Sequence, residues 1–403
     1  MMKEHDIVCL SFPAWDGNYV KSTVKLMCAL TESNRVLFVD YAYTWKDVIK
    51  GIWGSHKHIP WQRILGLKDR IRYVILPNSS ICVLSLPPMI PYNWARSYHL
   101  ASAVAKFNAF WIKRSVRKAL KKLHMEEHLV INALNPVYGI PLAGKLNERL
   151  LIYYCYDEIS AAKWISRHGK IAEEKYLPTV DVAITSSEQL KQKKKVYQPY
   201  CYRVPNGVDL SLFEPKPAVD QALRYKKNTV GYLGSVDDRL DLELLSSLCK
   251  QMPELEFQFL GRITSIKVMN SLKRFPNVKL LGPKPPEELS DYLHQWEVGI
   301  IPFVKNEFTA GIYPMKINEY LATGLPVVST RFGDMDDFEE VACICDDIPA
   351  FLEAVVTEMM DNDADKVQRR LEFARANTWK SRAKDLVKIL NEHIYGASNL
   401  IMR

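Results

Sequence analysis

Short apolar runs separated by stretches of helical periodicity recur along this chain in two series, with a polar interruption between them. In the first series DIVCLSF (6–12), RVLFVDY (35–41), HLVINAL (128–134), LLIYYCYD (150–157), VAITSS (182–187) and CYRVPNG (201–207) read as buried strands. Stretches such as NYVKSTVKLMCALTES (18–33) between them carry the helix period. After the proline-punctuated join SLFEPKPAVDQALRYKKN (211–228) the rhythm restarts with TVGYLGS, LEFQFLG, VKLLGP, VGIIPF and PVVST. Apolar runs this short suit strands of parallel sheets with both faces covered by helices. The expected fold class is therefore α/β, with two Rossmann-like doubly wound domains joined near residues 208–228.

That architecture invites nucleotide binding, yet neither G-x-G-x-x-G nor G-x-x-x-x-G-K-[ST] occurs, which counts against a dinucleotide dehydrogenase or a P-loop NTPase. The first β-α turn, SFPAWDGNYVKS, holds Gly17 alone; Asp16, Gly17 and Asn18 either approach a ligand at a helix N-terminus or simply form a turn. The eight cysteines are scattered without a C-x-x-C pair and without histidines at ligand spacing, as expected of reduced thiols in a cytosolic protein. MMKEHDIVCLSFP puts two acidic residues ahead of a short apolar run and reads as a first strand, not a signal peptide. The most apolar stretch, YVILPNSSICVLSLPPMIPY (73–92), is broken by Asn, Ser and Pro and does not suit a bilayer span.

The net charge of +8 is unevenly placed. WIKRSVRKALKKLH (111–124) sets Lys113, Arg114, Arg117, Lys118, Lys121 and Lys122 along a helix whose other face carries Ile112, Val116, Leu120 and Leu123. Such a helix either solvates an ordinary core or docks on anionic lipid, and Trp53, Trp61, Trp94 and Trp111 lie in the same half of the chain. The expected location is cytoplasmic, with peripheral contact on an anionic membrane as the functional reading of that helix. Nucleic acid is not an expected partner, because no recognised binding motif accompanies the basic residues.

A lysine in the first turn of a helix is locally unfavourable, since that end carries partial positive charge and unpaired N–H groups. YPMKINEYLATGLPVVST (313–330) has this feature: a helix over 314–323, with Gly324 at its C′ position, carries Lys316 in its first turn and Glu319 three residues on. A bound anion would make the arrangement favourable, and an ordinary i,i+3 pair is the alternative.

YRVPNGVDLSLFEP (202–215), TVGYLGSVDDRLDLELL (229–245), VKLLGPKPPEELSDYLHQWEVGIIPF (278–303) and YPMKINEYLATGLPVVST occur in the order and spacing of glycosyltransferases of the GT-B fold. The chain resembles the retaining GT-B enzymes of family GT4 that use nucleotide-diphosphate sugars, closest in flavour to members acting in capsule, teichuronic acid and other surface-polysaccharide pathways. The likeness is strong over about 180–385, including NTWKSRAKDL (377–386), and diffuse over the first 150 residues. It implies two Rossmann-like domains facing each other across a cleft: an acceptor-side domain over 1–210, a nucleotide-sugar domain over 211–375, and a C-terminal helix over 376–403 returning to the first. It implies a nucleotide-sugar donor (UDP- or GDP-), a glycan or lipid-linked acceptor, and retention by front-face attack. It also implies that Glu319 accepts hydrogen bonds from the ribose hydroxyls and that Gly282, Pro283 and Lys284 meet the nucleobase.

Departures from the family pattern shape the remaining assignments. Many relatives carry a glutamate eight positions before Glu319, where this chain has Gly311, so sugar recognition falls to the backbone of Phe308, Thr309, Ala310, Gly311, Ile312 and Tyr313. Relatives often place Arg after the glycine of the GYLG-like turn; here Ser235 follows Gly234, leaving Arg239 and Arg262 as phosphate contacts, or as partners of Asp237, Asp238 or Asp241. No cofactor and no metal are expected: acidic spacings such as those in GDMDDFEE (333–340) arise easily by chance, and Lys316, Arg239 and helix N–H groups can neutralise the leaving phosphate. Asp157 or Glu158 is placed to approach the sugar, or Asp157 caps a helix over 158–169. A sugar-nucleotide epimerase and a catalytically silent partner of a polysaccharide assembly complex are the competing functions.

Overall fold

A computed structural model describes residues 5–17, 21–54, 58–161, 166–214 and 228–401. The chain forms two compact units, one of Met1–Pro205 with Arg382–Arg403 and one of Asn206–Ser381.

The first unit is built on strands β1 (Asp6–Ser11), β2 (Arg35–Val39), β3 (Ile71–Leu76), β4 (Ser79–Leu84), β5 (His128–Ala133), β6 (Leu150–Cys155), β7 (Val182–Thr185) and β8 (Cys201–Arg203), in the order β3-β4-β2-β1-β5-β6-β7-β8. β1 pairs in parallel with both β2 and β5, with Asp6 opposite Arg35 and His128, so the chain order reverses at β1/β5. Loops following the strands on either side of such a reversal diverge and leave room for a ligand at the carboxyl edge. The wholly parallel expectation needs one correction. β3 and β4 form an antiparallel hairpin, Leu76 opposite Ser79, that adds an edge to the sheet. Pro77 and Asn78 form its two-residue turn, so the first interruption of the apolar run at 73–92 is a hairpin turn, while Ser79 and Ser80 belong to β4.

A second correction concerns the stretch after β6. No continuous helix covers 158–169: a 3-10 turn spans Ile159–Ala161 and an α-helix spans Ser166–Tyr176, with 162–165 outside the described residues. The basic helix is longer than its charge pattern indicates, running Tyr98–Leu123. Its buried face is small, including Ala101, Ala105, Asn108, Ala109, Ile112 and Val116, and the helix packs against the helices Pro136–Leu142 and Ser166–Tyr176.

The second unit is a wholly parallel sheet of β9 (Thr229–Leu233), β10 (Glu256–Leu260), β11 (Val278–Gly282), β12 (Val298–Ile301), β13 (Val327–Thr330) and β14 (Cys343–Cys345). Its order is β11-β10-β9-β12-β13-β14, with the reversal at β9/β12. Every residue of β9, β12 and β13 is buried, as expected of central strands covered on both faces.

The helix Trp379–Ile401 passes from the second unit to the first. Val208 and Trp379 clasp it at the crossing, Val208 N–H to Asn377 O at 3.0 Å and Trp379 N–H to Val208 O at 3.2 Å. Further on, Leu386, Val387, Leu390 and Ile394 are buried, Asn391 Oδ1 lies 2.8 Å from His5 Nε2, and His393 Nε2 lies 3.0 Å from the Tyr202 hydroxyl. Among the described residues no helix is long and apolar enough to cross a membrane.

Candidate active site

In the second unit the polar residues singled out by sequence gather after the carboxyl ends of β9, β10, β11 and β12. Three glycines set how closely these ends approach. Gly234 N–H donates to Leu260 O and Gly261 N–H to Gly282 O, both at 3.0 Å. Gly261 has φ +154°, and a Cβ there would stand 2.0 Å from Gly234 O, so this backbone contact requires glycine. The loop after β9 is also laced to the end of β12: Asp241 N–H reaches Pro302 O and Val304 N–H reaches Arg239 O, both at 2.8 Å.

The helix Met315–Leu321 stands against this edge. Lys316 Nζ lies 2.8 Å from Glu319 Oε2; the glutamate is buried and the lysine partly exposed. Tyr320, wholly buried, accepts the Leu233 N–H at 2.7 Å, which fixes the helix to the last residue of β9 beside Gly234. Gly324 N–H to Leu321 O at 2.9 Å and Leu325 N–H to Tyr320 O at 3.2 Å are the paired bonds of a Schellman turn around Gly324, whose φ is +72°. The pair is therefore not the solvent-exposed i,i+3 bridge of an ordinary surface helix, because its acceptor is a carboxylate inside the fold.

Arg239 sits where its side chain meets both Asp237 and Phe303. Its Nε lies 2.9 Å from Asp237 Oδ1 and its Nη2 2.7 Å from Oδ2, while the guanidinium carbon stands 5.2 Å from the Phe303 ring centre. Of the other two acids named as partners, Asp238 accepts from Ser265 Oγ at 2.8 Å and Asp241 caps the helix Leu242–Gln251. Arg262 is exposed, with its carbonyl accepting from Val236 N–H at 2.8 Å. Ser235 is half-buried, and its carbonyl accepts from the Tyr232 hydroxyl at 3.0 Å. After β11, Pro283 is exposed and Lys284 leans on the ring of Tyr292, 5.5 Å from its centre.

The stretch 308–313 begins in the short helix Glu307–Ala310 and commits backbone N–H groups internally, against the expectation that they meet the sugar: Phe308 and Thr309 donate to Asn306 Oδ1, both at 3.0 Å, and Ala310 to Asn306 O at 2.9 Å. Thr309 is buried, donates through Oγ1 to Val304 O at 2.6 Å, and closes a capping box with Asn306. Tyr313 is buried against Phe338, with ring centres 5.4 Å apart. Ala310 O faces Gly333, where a Cβ would stand 2.9 Å away, and Ile312 N–H turns back to Thr309 O at 3.0 Å. Nearby, the acidic run after β13 surrounds Arg331, which lies 2.9 Å from Glu339, 3.3 Å from Asp346 and 3.9 Å from Asp336. Among the described residues no group of three His, Cys, Asp or Glu is placed to hold a metal ion.

In the first unit Asp16 pairs with Arg72 at 2.6 Å, and Lys21, buried, donates to the carbonyls of Ala14 and Asp16. Asn18 lies outside the described residues. Sequence reading did not single out Asp40, which follows β2. Its Oδ1 accepts the N–H groups of Trp15 at 2.7 Å and Tyr41 at 2.8 Å, holding the loop that carries Asp16. Burial pushes its carboxyl up to about 6 against those two hydrogen bonds. Asp40 Oδ2 and Asn135 Oδ1 have no hydrogen-bond partner among the described residues, and both residues line a cavity of about 10 Å³. Only the run VDY marked the position in sequence.

Asp157 is half-buried after β6, and its carbonyl accepts from Cys155 Sγ at 3.4 Å. Glu158 does not point to an open edge. It is buried and lies 3.3 Å from Lys194 and 3.4 Å from Lys193, while Lys194 also reaches Glu173 at 2.8 Å. Burial raises the Glu158 carboxyl, but Lys194 and the Ser160 hydrogen bonds outweigh it and hold it below its usual range. Of the two acids, Glu158 is thus committed to an internal ion-pair network.

Two doubly wound sheets, the second gathering a buried glutamate, a lysine and two arginines at its carboxyl edge, have the GT-B architecture, and the chain is GT4-like in what it resembles. Comparison with known proteins gives the same class. The family described as Glycosyl transferases group 1 matches residues 227–361. TuaH of Bacillus subtilis (strain 168), which carries the name of a teichuronic acid biosynthesis glycosyltransferase, is 26% identical over 274 residues, covering 62% of this chain and 69% of TuaH. Sucrose-phosphate synthase from Thermosynechococcus elongatus shares the fold with a TM-score of 0.71 at 14% identity, over 98% of this chain and 100% of that one. Anabaena HepE, solved in complex with UDP and glucose, shares it with a TM-score of 0.60 at 14% identity, over 96% and 99%.

Proposed function

We propose that this chain transfers a hexosyl residue from a UDP- or GDP-sugar to a lipid-linked or polysaccharide acceptor, with retention and without a metal, in surface-polysaccharide biosynthesis. The observation that carries the reading is the Glu319 carboxylate, buried yet paired with a partly exposed Lys316 2.8 Å away and tied through Tyr320 to the glycine-lined end of β9. A carboxylate held in this way accepts the two ribose hydroxyls of a nucleotide, and Lys316 then stands near the diphosphate. Arg239, oriented by Asp237, adds a second cation at the same edge. As the bond from the anomeric carbon to the phosphate oxygen breaks, charge collects on that oxygen, and the two cations stabilise it. The acceptor hydroxyl attacks from the same face and its proton passes to the departing phosphate, so no side-chain nucleophile enters. The likeness to TuaH supports a polysaccharide setting, and the UDP and glucose bound to HepE support the donor class.

The deciding experiment incubates the full chain with UDP- and GDP-sugars, measuring free nucleotide with and without lipid-linked acceptor, in Mg²⁺ and in EDTA. Acceptor-dependent release that persists in EDTA supports the proposal. Formation of an epimeric sugar nucleotide without acceptor indicates an epimerase, and no turnover with any donor indicates a silent partner. Activity lost in EDTA and restored by Mg²⁺ overturns the metal-free mechanism alone.

A further inference from the structure

The first unit exposes apolar side chains in an arrangement that the transfer reaction does not use. The helix Trp45–Ile52 buries Val48 and Gly51 but turns Trp45, Ile49 and Ile52 to solvent, and Trp53 follows at its end. Positions 45, 49, 52 and 53 fall on one stripe at 100° per residue, flanked by Lys46 and Lys50. Their exposures are 54%, 51%, 49% and 82%, the reverse of an amphipathic helix facing its own core. The Tyr98–Leu123 helix repeats the pattern over its first half, where Leu100, Phe107, Phe110 and Trp111 are exposed. One segment holds both helices: Trp45 N–H reaches Met89 O at 3.4 Å, and the next residue, Ile90, exchanges hydrogen bonds with Asn108 at 3.1 and 2.8 Å. Ile90 and Trp94 extend the exposed apolar surface along that segment.

Charge selects the occupant. The Tyr98–Leu123 helix carries seven Lys and Arg residues and no acidic one, with Arg114, Arg117, Lys118, Lys121 and Lys122 following directly on the aromatic half. A second copy docked by the same patch would set these cationic rows against each other. A lipid surface accommodates both halves at once, aromatic and aliphatic side chains at the headgroup boundary and cations on anionic headgroups.

We propose that this face is a docking surface for an anionic phospholipid bilayer, with the Trp45–Ile52 helix and Trp53 as an inserted wedge and the basic half of the long helix as its electrostatic anchor. The proposal is independent of the transfer chemistry. Its test is flotation of the full chain with vesicles of mixed phosphatidylglycerol and phosphatidylcholine, and of phosphatidylcholine alone, at low and high salt. The expected result is binding to the anionic vesicles that salt reverses. Ile49→Glu with Trp53→Glu, and Arg114→Gln with Arg117→Gln and Lys118→Gln, should each lower vesicle partition about tenfold or more with circular dichroism unchanged. All these side chains are at the surface, so loss of binding is separable from loss of fold. Negligible binding at low salt, or undiminished binding by the Ile49→Glu/Trp53→Glu chain, overturns the proposal. So does a concentration-dependent dimer that the same substitutions dissolve, which would assign the face to a second copy.

Discussion

The hydroxyl of Tyr320 accepts the amide hydrogen of Leu233 at 2.7 Å, so the residue beside Glu319 is bonded to the residue before Gly234. This one bond sets the distance between the carboxylate and the glycine turn. Tyr320→Phe leaves the ring in place and removes the acceptor, stranding a buried N–H at a cost of about 1–3 kcal/mol. Thermal unfolding of the second unit should move to lower temperature, and nucleotide affinity should fall even where the chain is fully folded. Unchanged affinity would show that the bond serves packing alone.

Glu319 itself makes a sharper case. Loss of one charge-assisted contact to a ribose hydroxyl costs about 1.5–3 kcal/mol, so Glu319→Ala should weaken nucleotide binding roughly 10- to 100-fold by calorimetry. Free ribose-lacking diphosphate should bind both proteins alike. If the parent and the variant bind the nucleotide equally, the ribose assignment is wrong.

Arg239 is held by Asp237 through two nitrogens, which orients it but also shares its charge. If it stabilises the departing phosphate, Arg239→Ala should lower kcat more than it raises KM for donor, because the charge on that oxygen peaks as the bond breaks. Asp237→Asn keeps a hydrogen-bond acceptor and should cost less kcat than Arg239→Ala. Near-parent turnover by the Arg239→Ala enzyme at saturating donor would refute its role.

Asp40 gives a pH signature. Its folded carboxyl titrates at about 6 against an ordinary value of 3.8, so between these values the folded chain holds a proton that the unfolded chain releases. Its contribution is therefore present below about pH 4 and is lost as pH rises through 6, a change of about 3 kcal/mol for two pH units. Asp40→Asn keeps the acceptor for Trp15 and Tyr41 and brings a donor into the cavity shared with Asn135. The stability difference between variant and parent, from urea unfolding, should move in the variant's favour from pH 4 to pH 7. A difference that does not change with pH would remove Asp40 as the titrating group.

How much of this was legible in the sequence depends on the range of the forces involved. Strands β9, β12 and β13 are apolar throughout because both faces are covered, and such runs announce themselves. Gly324 was placed correctly because a left-handed residue at a helix end is a local requirement. The hairpin of β3 and β4 lies in an apolar run, but apolar residues alone do not say which way two strands pair, and the exposure of β3 at the sheet edge leaves Tyr73 and Ile75 outside the core. Sequence leaves Glu158 beside Asp157 as an open-edge candidate because its ion-pair partners are Lys193 and Lys194, and pairing across such separations leaves no local mark. Asp40 escaped for the same reason, since its hydrogen bond to Trp15 spans 25 residues. The exposure of Trp53 is likewise invisible to composition, which reads tryptophan as core or surface with equal ease.

Gly261 tests whether the carboxyl edge acts as a unit. At φ +154° its backbone lies in a region that side-chain-bearing residues rarely adopt, and a Cβ would stand 2.0 Å from Gly234 O and 2.6 Å from its carbonyl carbon. Neither backbone can yield without breaking the 3.0 Å bond from Gly234 N–H to Leu260 O. Gly261→Ala must therefore either push the β9 turn away from β10 or distort the end of β10. In both cases Gly234, Arg239 and the laced end of β12 move relative to Glu319. The expected outcome is a lower unfolding temperature together with loss of nucleotide binding. Gly144→Ala is the control: it also replaces a glycine of positive φ, +68°, but a Cβ there meets no atom within 4 Å, and it lies in the other unit. It should reproduce the backbone strain without the effect on nucleotide binding. Equal nucleotide affinity in the parent and both variants would show that the β9 turn does not form part of the donor site.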